Sequence, residues 1–211
     1  MIAAIVPACG ASRRMGQPKL ILPIGGTPQI QRVIHGLIVG GASRVITVVP
    51  PHTQAGAAEL AQLAAEAGSQ ILIADPAPTH MRGSVELGLR ELQALGKQKY
   101  EAVLLTPGDA LGVSARLVHE LIDRFRGDDL DLVIATHKGR WGHPVMLRWG
   151  LAEQIERIPA ELGINALVKR PGWRVAEVDS ENQAVIADLD TPDDLDRWRQ
   201  VVSADDAPGS G

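Results

Sequence analysis

Short apolar runs alternate with longer amphipathic stretches along most of this 211-residue chain. The runs are continuous rather than interrupted at every second residue, which is the pattern of strands covered on both faces. They lie at residues 2–6, 45–49, 70–74, 102–106 and 132–135, and helical patterns separate them at residues 28–40, 55–67, 84–95 and 114–125. This repetition predicts an α/β fold of three layers, with helices on both sides of a mostly parallel sheet.

The last third of the chain is less regular. We expect a strand at 143–147, helical pieces at 151–157 and 163–169, and strands at 174–178 and 184–187. The final helix is expected to begin at Thr191-Pro192 and to end near residue 202. We interpret 1–202 as a single domain, 138–179 as an insertion or lid-like region on its sheet, and 203–211 as a disordered tail.

Composition limits the classes of binding partner and the cellular compartments that we expect for this protein. The formal net charge is −4, with no basic excess and no long block of like charge, so nucleic acid is not an expected partner. No apolar run reaches the ~20 residues needed to span a bilayer, and the N-terminus lacks the basic start of a signal peptide. The one cysteine, Cys9, excludes an intramolecular disulfide. We therefore expect a cytoplasmic protein without a membrane partner.

The loop after the first apolar run combines small residues, glycines and cations. It reads Pro-Ala-Cys-Gly-Ala-Ser-Arg-Arg-Met-Gly-Gln-Pro-Lys-Leu over residues 7–20. Small residues let backbone N–H groups approach phosphate oxygens, while Arg14 and Lys19 supply charge. The loop has neither the Gly-Lys-Ser/Thr of a P-loop nor Gly-x-Gly-x-x-Gly, which argues against a P-loop kinase and a dinucleotide-binding dehydrogenase. The alternative is a surface turn with solvated cations.

This loop resembles the signature of the molybdenum-cofactor nucleotidyltransferases, Ala-Ala-Gly-x-Ser-x-Arg-Met-Gly-x-x-Lys. The matching positions are Ala8, Gly10, Ser12, Arg14, Met15, Gly16 and Lys19. The resemblance extends over about residues 2–198 and implies a nucleotide-diphospho-sugar-transferase-like, Rossmann-like fold. Pro7 and Cys9 depart from the family pattern. Cys9 is either a small filler or a reactive thiol beside Arg13 and Arg14. The nucleotide-binding residues implied in this loop are Ala8, Cys9, Gly10, Ala11, Ser12, Arg14, Gly16 and Lys19.

Two carboxylates are the expected metal ligands. Asp109 follows the fourth strand at a position resembling the family's Gly-Asp-x-Pro, although Ala110-Leu111 replaces the expected proline. Asp190 lies in Asp-Leu-Asp-Thr-Pro-Asp-Asp-Leu, which resembles the family's Asp-x-Asp-Thr-Pro-Glu-Asp-Leu. Mg²⁺ prefers one or two carboxylates together with phosphate oxygens and water. The alternative for Asp190 is an N-cap of the last helix.

Other segments supply candidates for nucleotide and acceptor contacts. Ser84 is expected to contact the nucleotide, to cap a helix, or both, and Asp75 is placed for a base or sugar contact. His143 lies in Gly-His-Pro, which resembles an acceptor-side element of the family, and Gly163 and Asn165 align with an acceptor-side glycine-rich segment. A histidine can hydrogen-bond a phosphate or a pterin near neutral pH.

The resemblance implies transfer of a nucleotidyl group from a nucleoside triphosphate to a phosphorylated small-molecule acceptor. The catalytic residues are then Arg14, Lys19 and Asp109, with Mg²⁺ as cofactor. Ala8-Cys9-Gly10 looks closer to the cytidylyl than to the guanylyl members, which favours CTP over GTP and a molybdopterin-type acceptor, with a molybdoenzyme as a further partner. The alternatives are a sugar-1-phosphate nucleotidyltransferase and a nucleotide-binding accessory protein without transfer activity.

Overall fold

The computed structural model describes residues 1–96, 99–159 and 161–205. Its strands are β1 (Ile2–Pro7), β2 (Pro23–Ile24), β3 (Thr27–Pro28), β4 (Arg44–Val49), β5 (Gln70–Ile73), β6 (Ala102–Leu105), β7 (Leu132–His137), β8 (Arg140–Arg148) and β9 (Val175–Asp179). Seven of them form one sheet in the order β5-β4-β1-β6-β8-β7-β9, and β2 pairs with β3 alone. Within the sheet only β8 runs antiparallel to its neighbours, so the predicted mostly parallel sheet is confirmed.

Helices cover both faces of this sheet. They are α1 (Gln29–Val39), α2 (Ala57–Glu66), α3 (Met81–Ala94), α4 (Ala115–Gly127), α5 (Trp149–Ala152), α6 (Ile164–Val168) and α7 (Pro192–Asp205). Alternate residues of β1 point to opposite faces, as the pleat requires. Ala4 packs in one core with α1, α2 and α4, while Ile5 packs in a second core with α3, α5 and α6. The three-layer architecture is therefore confirmed.

The region 138–179 lies closer to the centre of the fold than we expected of an insertion. Its first strand, β8, is longer than predicted and separates β6 from β7, and its last strand, β9, closes one edge of the sheet. The short helices between them pack against the second core. This region therefore completes the sheet as well as covering it.

Three local predictions need correction. Residues 183–186 form a single 3₁₀ turn rather than a strand, because the Asn182 side chain accepts a hydrogen bond from the Ala184 N–H and caps the turn. Ser84 does not cap α3, which begins at Met81 and buries Ser84 inside it, whereas Ser114 caps α4. Helix α7 continues to Asp205, and the remaining residues of the predicted tail, 206–211, lie outside the described residues.

Within the described part of the chain, no helix combines the length and the apolar character needed to cross a membrane.

Candidate active site

Backbone pairing brings the two predicted metal ligands together. Ala110 and Asp188 form an isolated antiparallel bridge. On either side of it, the Leu111 N–H donates to the Ala187 carbonyl at 3.2 Å and the Leu189 N–H donates to the Asp109 carbonyl at 3.0 Å. The segment that precedes α7 is thereby fixed beside the loop that follows β6. Asp109 and Asp190 consequently share one small region at the carboxyl edge of the sheet.

The side chain of Lys19 joins these carboxylates. Its ammonium donates to Asp109 and, at 2.9 Å, to Oδ1 of Asp190. The Lys19 backbone N–H donates to Ser12 Oγ at 3.2 Å, and only 9% of the residue is exposed. Burial lowers the pKa of Lys19, but the two carboxylates more than offset this effect, so its pKa is raised overall. Lys19 is therefore a charged, positioned cation.

Arg14 contacts the same carboxylate from the solvent side. Its guanidinium donates to Oδ2 of Asp190 at 2.8 Å, and its side chain is 71% exposed. Thr191 and Asp194 cap α7 reciprocally, since the Thr191 N–H donates to the Asp194 carboxylate at 2.8 Å and Thr191 Oγ1 accepts from the Asp194 N–H at 3.2 Å. Because Thr191 is the cap, the carboxylate of Asp190 is left to the two cations.

Met15 explains how the first loop is held. Its side chain is buried in a third apolar cluster with Leu189, Leu195 and Trp198. This cluster links the loop to both the Asp190 segment and α7. The methionine of the loop motif thus anchors the backbone, and it places the neighbouring Arg14 against Asp190.

Gln29, which we did not select from the sequence, shapes the loop around Asp109. Its side-chain amide is buried and donates to the carbonyls of Ala110 at 2.8 Å and Gly108 at 3.3 Å. These bonds fix the loop where the family has a proline after the aspartate. A lone glutamine in an amphipathic helix gives no signal of this role.

The carboxylates create a local surplus of negative charge. Burial raises the pKa of Asp188 to about 6, with further contributions from Asp109 and Asp190. Clustered carboxylate oxygens suit a hard cation such as Mg²⁺. Among the described residues, no group of three or more His, Cys, Asp or Glu side chains could hold a metal ion. Asp109 and Asp190 offer two carboxylates, the number that Mg²⁺ usually takes together with ligand oxygens and water.

The first loop forms the wall of a cavity of about 600 Å³. Its lining includes Cys9, Gly10, Ala11, Ser12, Ser84 and Asp109. On the other side of the loop, Ala8, Gly16 and Lys19 line a smaller cavity of about 220 Å³. Asp75 is exposed and lines neither cavity. Most of the predicted nucleotide-binding residues thus line the two cavities beside the first loop, whereas Asp75 does not.

Arg13 and Cys9 differ in what they offer this site. Arg13 lines both cavities around the loop, although only its neighbour Arg14 was selected from the motif. In the sequence, the two adjacent arginines could have indicated Arg13 as a second candidate. Burial raises the pKa of the Cys9 thiol, and the Ser84 side chain offsets part of the rise. A raised pKa keeps the thiol protonated near neutral pH, which favours the small-filler interpretation of Cys9.

A separate, mostly apolar cavity of about 230 Å³ contains the predicted acceptor residues His143 and Asn165. Asp188 also lines it, so this cavity adjoins the carboxylates. Gly163 lines a neighbouring cavity of about 510 Å³. Burial lowers the pKa of His143, and its Nδ1 is buried without a hydrogen-bond partner among the described residues. A neutral imidazole with one unused nitrogen is available to a ligand.

The fold and the arrangement of the site residues define a nucleotide-binding α/β transferase. A loop suited to binding phosphate and two carboxylates lie together at the carboxyl edge of a parallel sheet. Comparison with known proteins gives the family. The model of the MobA-like NTP transferase domain matches residues 4–178, and the chain belongs to this family of nucleotidyltransferases.

Individual relatives are more distant. The 2-C-methyl-D-erythritol 4-phosphate cytidylyltransferase of Nocardia farcinica is 40% identical over 52 residues, and this match covers 23% of each chain. A nucleotidyl transferase from Methanothermobacter thermautotroptrophicus has a similar structure, with a TM-score of 0.79, 21% identity and coverage of 98% of this chain and 99% of that one. Rv0371c from Mycobacterium tuberculosis H37Rv gives a TM-score of 0.78, 20% identity and coverage of 95% and 98%. Rv0371c also has a structure in complex with manganese.

Proposed function

We propose that this protein transfers CMP from CTP to a phosphorylated acceptor, with Mg²⁺ as cofactor and pyrophosphate as the second product. The observation that carries the proposal is the position of the Lys19 ammonium. It lies between Asp109 and Asp190, beside a loop suited to phosphate. A cation already occupies the space between the two carboxylates, so the site is built for positive charge next to a polyphosphate.

The proposed reaction is an in-line displacement. An oxygen of the acceptor phosphate attacks the α-phosphorus of CTP, the new P–O bond forms, and the bond to the β-phosphate breaks as pyrophosphate leaves. Backbone N–H groups of residues 10–16 orient the triphosphate, and Lys19 and Arg14 neutralise charge on the leaving group. Asp109 and Asp190 would hold Mg²⁺, which would supply charge neutralisation for the phosphate groups. The mechanism requires no covalent nucleophile.

The donor and the metal are inferred from different sources. The Ala8-Cys9-Gly10 sequence resembles the cytidylyl members, and the curated relative matched over 52 residues is a cytidylyltransferase. Rv0371c, which shares this fold, has a structure in complex with manganese, and this supports a divalent metal as the cofactor. Oxygen ligands favour Mg²⁺ as the physiological ion.

The acceptor cavity favours a planar molecule over a polyol. Its walls include Val85, Val145, Ile164 and Val168, and Trp141 also lines it. Apolar walls with a few polar groups such as His143 and Asn165 suit a heteroaromatic ring system, as in a molybdopterin-type acceptor. The second candidate is a sugar or polyol phosphate, which the name of the Nocardia farcinica relative favours.

Pyrophosphate release tests both parts of the proposal. CTP, GTP, ATP and UTP are each combined with molybdopterin, 2-C-methyl-D-erythritol 4-phosphate or a sugar 1-phosphate, with and without Mg²⁺. Release with CTP and molybdopterin that depends on Mg²⁺ is the expected result. Preference for another acceptor replaces the molybdopterin assignment and keeps the transferase. Absence of release with every pair, despite CTP binding in a thermal-shift assay, favours the accessory-protein alternative.

A further inference from the structure

A further polar cavity lies beside Asp190, and Arg14 of the first loop is one of its lining residues. This hairpin groove has a volume of about 590 Å³ and runs between the β7–β8 turn and the start of α7. Four of the residues that line it are Arg14, Lys138, Arg140 and Arg197. In a protein of formal net charge −4, such a concentration of cations marks a preference for anions.

The charges of Lys138 and Arg140 are not neutralised. Within the described residues, neither side chain forms an ion pair or a hydrogen bond with a carboxylate. Two of the three carboxylates that line the groove are engaged elsewhere, since Asp190 binds Lys19 and Arg14, and Asp194 caps α7, while the third, Asp188, lies where the groove adjoins the acceptor cavity. Two cations therefore face the groove with donors available to a ligand.

The turn that carries these cations is fixed by the neighbouring strand. The Asp179 carboxylate accepts from the Lys138 N–H at 2.9 Å and from Thr136 Oγ1 at 3.1 Å. His137 pairs across the hairpin with Arg140 and contacts the Ser180 carbonyl at 2.8 Å. Lys138 and Arg140 are thus presented on either side of an anchored turn rather than on a free loop.

The groove connects the acceptor cavity with the candidate active site. Ile186 and Asp188 line both the groove and the apolar cavity of His143, while Arg14 and Asp190 connect the groove to Lys19. The two cavities therefore adjoin at Ile186 and Asp188, an arrangement that is compatible with one acceptor molecule occupying both. The triphosphate has a separate place, because residues 10–12 line a different cavity.

We propose that the hairpin groove binds the phosphate monoester of the acceptor, with Lys138 and Arg140 as its ligands. A bound phosphate is held near Asp190, where the attacking oxygen is needed. Two cations without carboxylate partners suit a dianionic phosphate better than a neutral sugar. This inference rests on the proposed function for the identity of the molecule, but phosphate binding in the groove can be measured separately.

Amide chemical shifts of the full chain, titrated with inorganic phosphate at constant ionic strength, test the proposal. The wild type is expected to show saturating shifts at Lys138, Gly139 and Arg140. Each lost charge-assisted contact weakens binding about tenfold, so a Lys138→Gln/Arg140→Gln double variant should bind phosphate about a hundredfold more weakly. An Arg116→Gln/Arg124→Gln double variant on α4 makes the same change in net charge and should bind as the wild type does.

Three results overturn the proposal: no phosphate shifts, shifts confined to residues 10–16, or equal weakening in the α4 control. Unfolding curves and a CTP titration accompany each variant. The groove variant is expected to unfold as the wild type does and to bind CTP unchanged. If the wild type does not bind CTP, the proposed function alone is contradicted. If it binds CTP but binds no phosphate in the groove, this inference alone is contradicted.

Discussion

The ammonium of Lys19 lies 2.9 Å from Oδ1 of Asp190, a residue 171 positions further along the chain. The same ammonium donates to Asp109, so the first loop, the loop after β6 and the segment before α7 meet at one charge. A buried cation between two carboxylates holds them at short range. We expect it to turn towards the triphosphate when a metal ion binds the carboxylates.

Replacement of Lys19 by alanine should lower the turnover rate strongly and change the free energy of unfolding comparatively little. The variant loses the charge that neutralises the leaving pyrophosphate, and loss of one positioned electrostatic contact typically costs about 10²-fold in rate. Steady-state pyrophosphate release at saturating CTP measures the effect. Lys99→Ala removes an exposed lysine away from the site and serves as the control. Turnover of Lys19→Ala equal to that of the control would show that the loop assignment is wrong.

Replacement of Asp109 by asparagine should weaken Mg²⁺ binding while the fold is kept. The side chain keeps its size, and Lys19 retains its bond to Asp190. An amide oxygen is a weaker ligand for a hard cation than a carboxylate, so the concentration of Mg²⁺ needed for half-maximal activity should rise by more than about tenfold. Titration of activity with Mg²⁺, alongside thermal unfolding, measures both quantities. Full activity at the wild-type Mg²⁺ concentration contradicts the assignment.

Two glycines should respond in opposite ways to alanine. A Cβ on Gly10 meets nothing within 4 Å, so Gly10→Ala should fold normally and weaken CTP binding by crowding the phosphate. A Cβ on Gly142 lies 2.1 Å from the Val185 carbonyl oxygen, so Gly142→Ala must displace the backbone and should cost about 1–3 kcal/mol of stability. Urea unfolding and CTP titration of both variants separate the effects. Normal CTP affinity in Gly10→Ala would remove the phosphate role of that residue.

The sequence predicted the sheet well because its signal is local. Runs such as residues 2–6 and 102–106 are buried on both faces, and that burial is written in consecutive apolar residues. Lys19 and Asp109 could be selected because they match the family's loop motif and its Gly-Asp position, in loops that follow two of the predicted strands. The long β8 was underestimated because its outer residues are polar and its position depends on pairing with two distant strands.

The parts of the site that escaped prediction depend on contacts between distant segments. The bridge between Ala110 and Asp188 decides which carboxylates meet, and no local pattern in either segment encodes it. The hydrogen bonds of Gln29 to the Asp109 loop have the same character. Arg13, which lines the same cavity, was not predicted because the family motif includes Arg14 only. Local periodicity therefore predicts the scaffold, while non-local pairing completes the site.

Asp131 should make the protein sensitive to acid at a place remote from the site. Its carboxylate accepts from the Arg174 guanidinium and backbone N–H, tying β9 to β7, and these bonds lower the pKa of Asp131 to about 2. A lowered pKa gives stability that is present above the normal value of 3.8 and is lost as the pH falls towards 2. Asp131→Asn should lose about 1 kcal/mol at neutral pH, since the partner side chain is half-exposed. Urea unfolding between pH 7 and pH 2 measures the free energy of unfolding of both proteins. If the stability of the variant falls with pH as steeply as that of the wild type, the prediction is contradicted.

Met15 offers a test of whether the apolar cluster beneath the loop controls the site. It is buried against Leu189, Leu195 and Trp198, so Met15→Ala leaves a cavity and should cost about 2–4 kcal/mol of stability. The Arg14 contact to Asp190 depends on the same stretch of backbone, so turnover should fall as well, even under conditions where the variant remains folded. Met15→Leu keeps the volume and should cost less than about 1.5 kcal/mol while restoring most of the turnover. Unfolding free energies and turnover at a temperature well below both transitions compare the pair. A Met15→Ala variant that is destabilised yet fully active would mean that the cluster supports the fold without positioning Arg14.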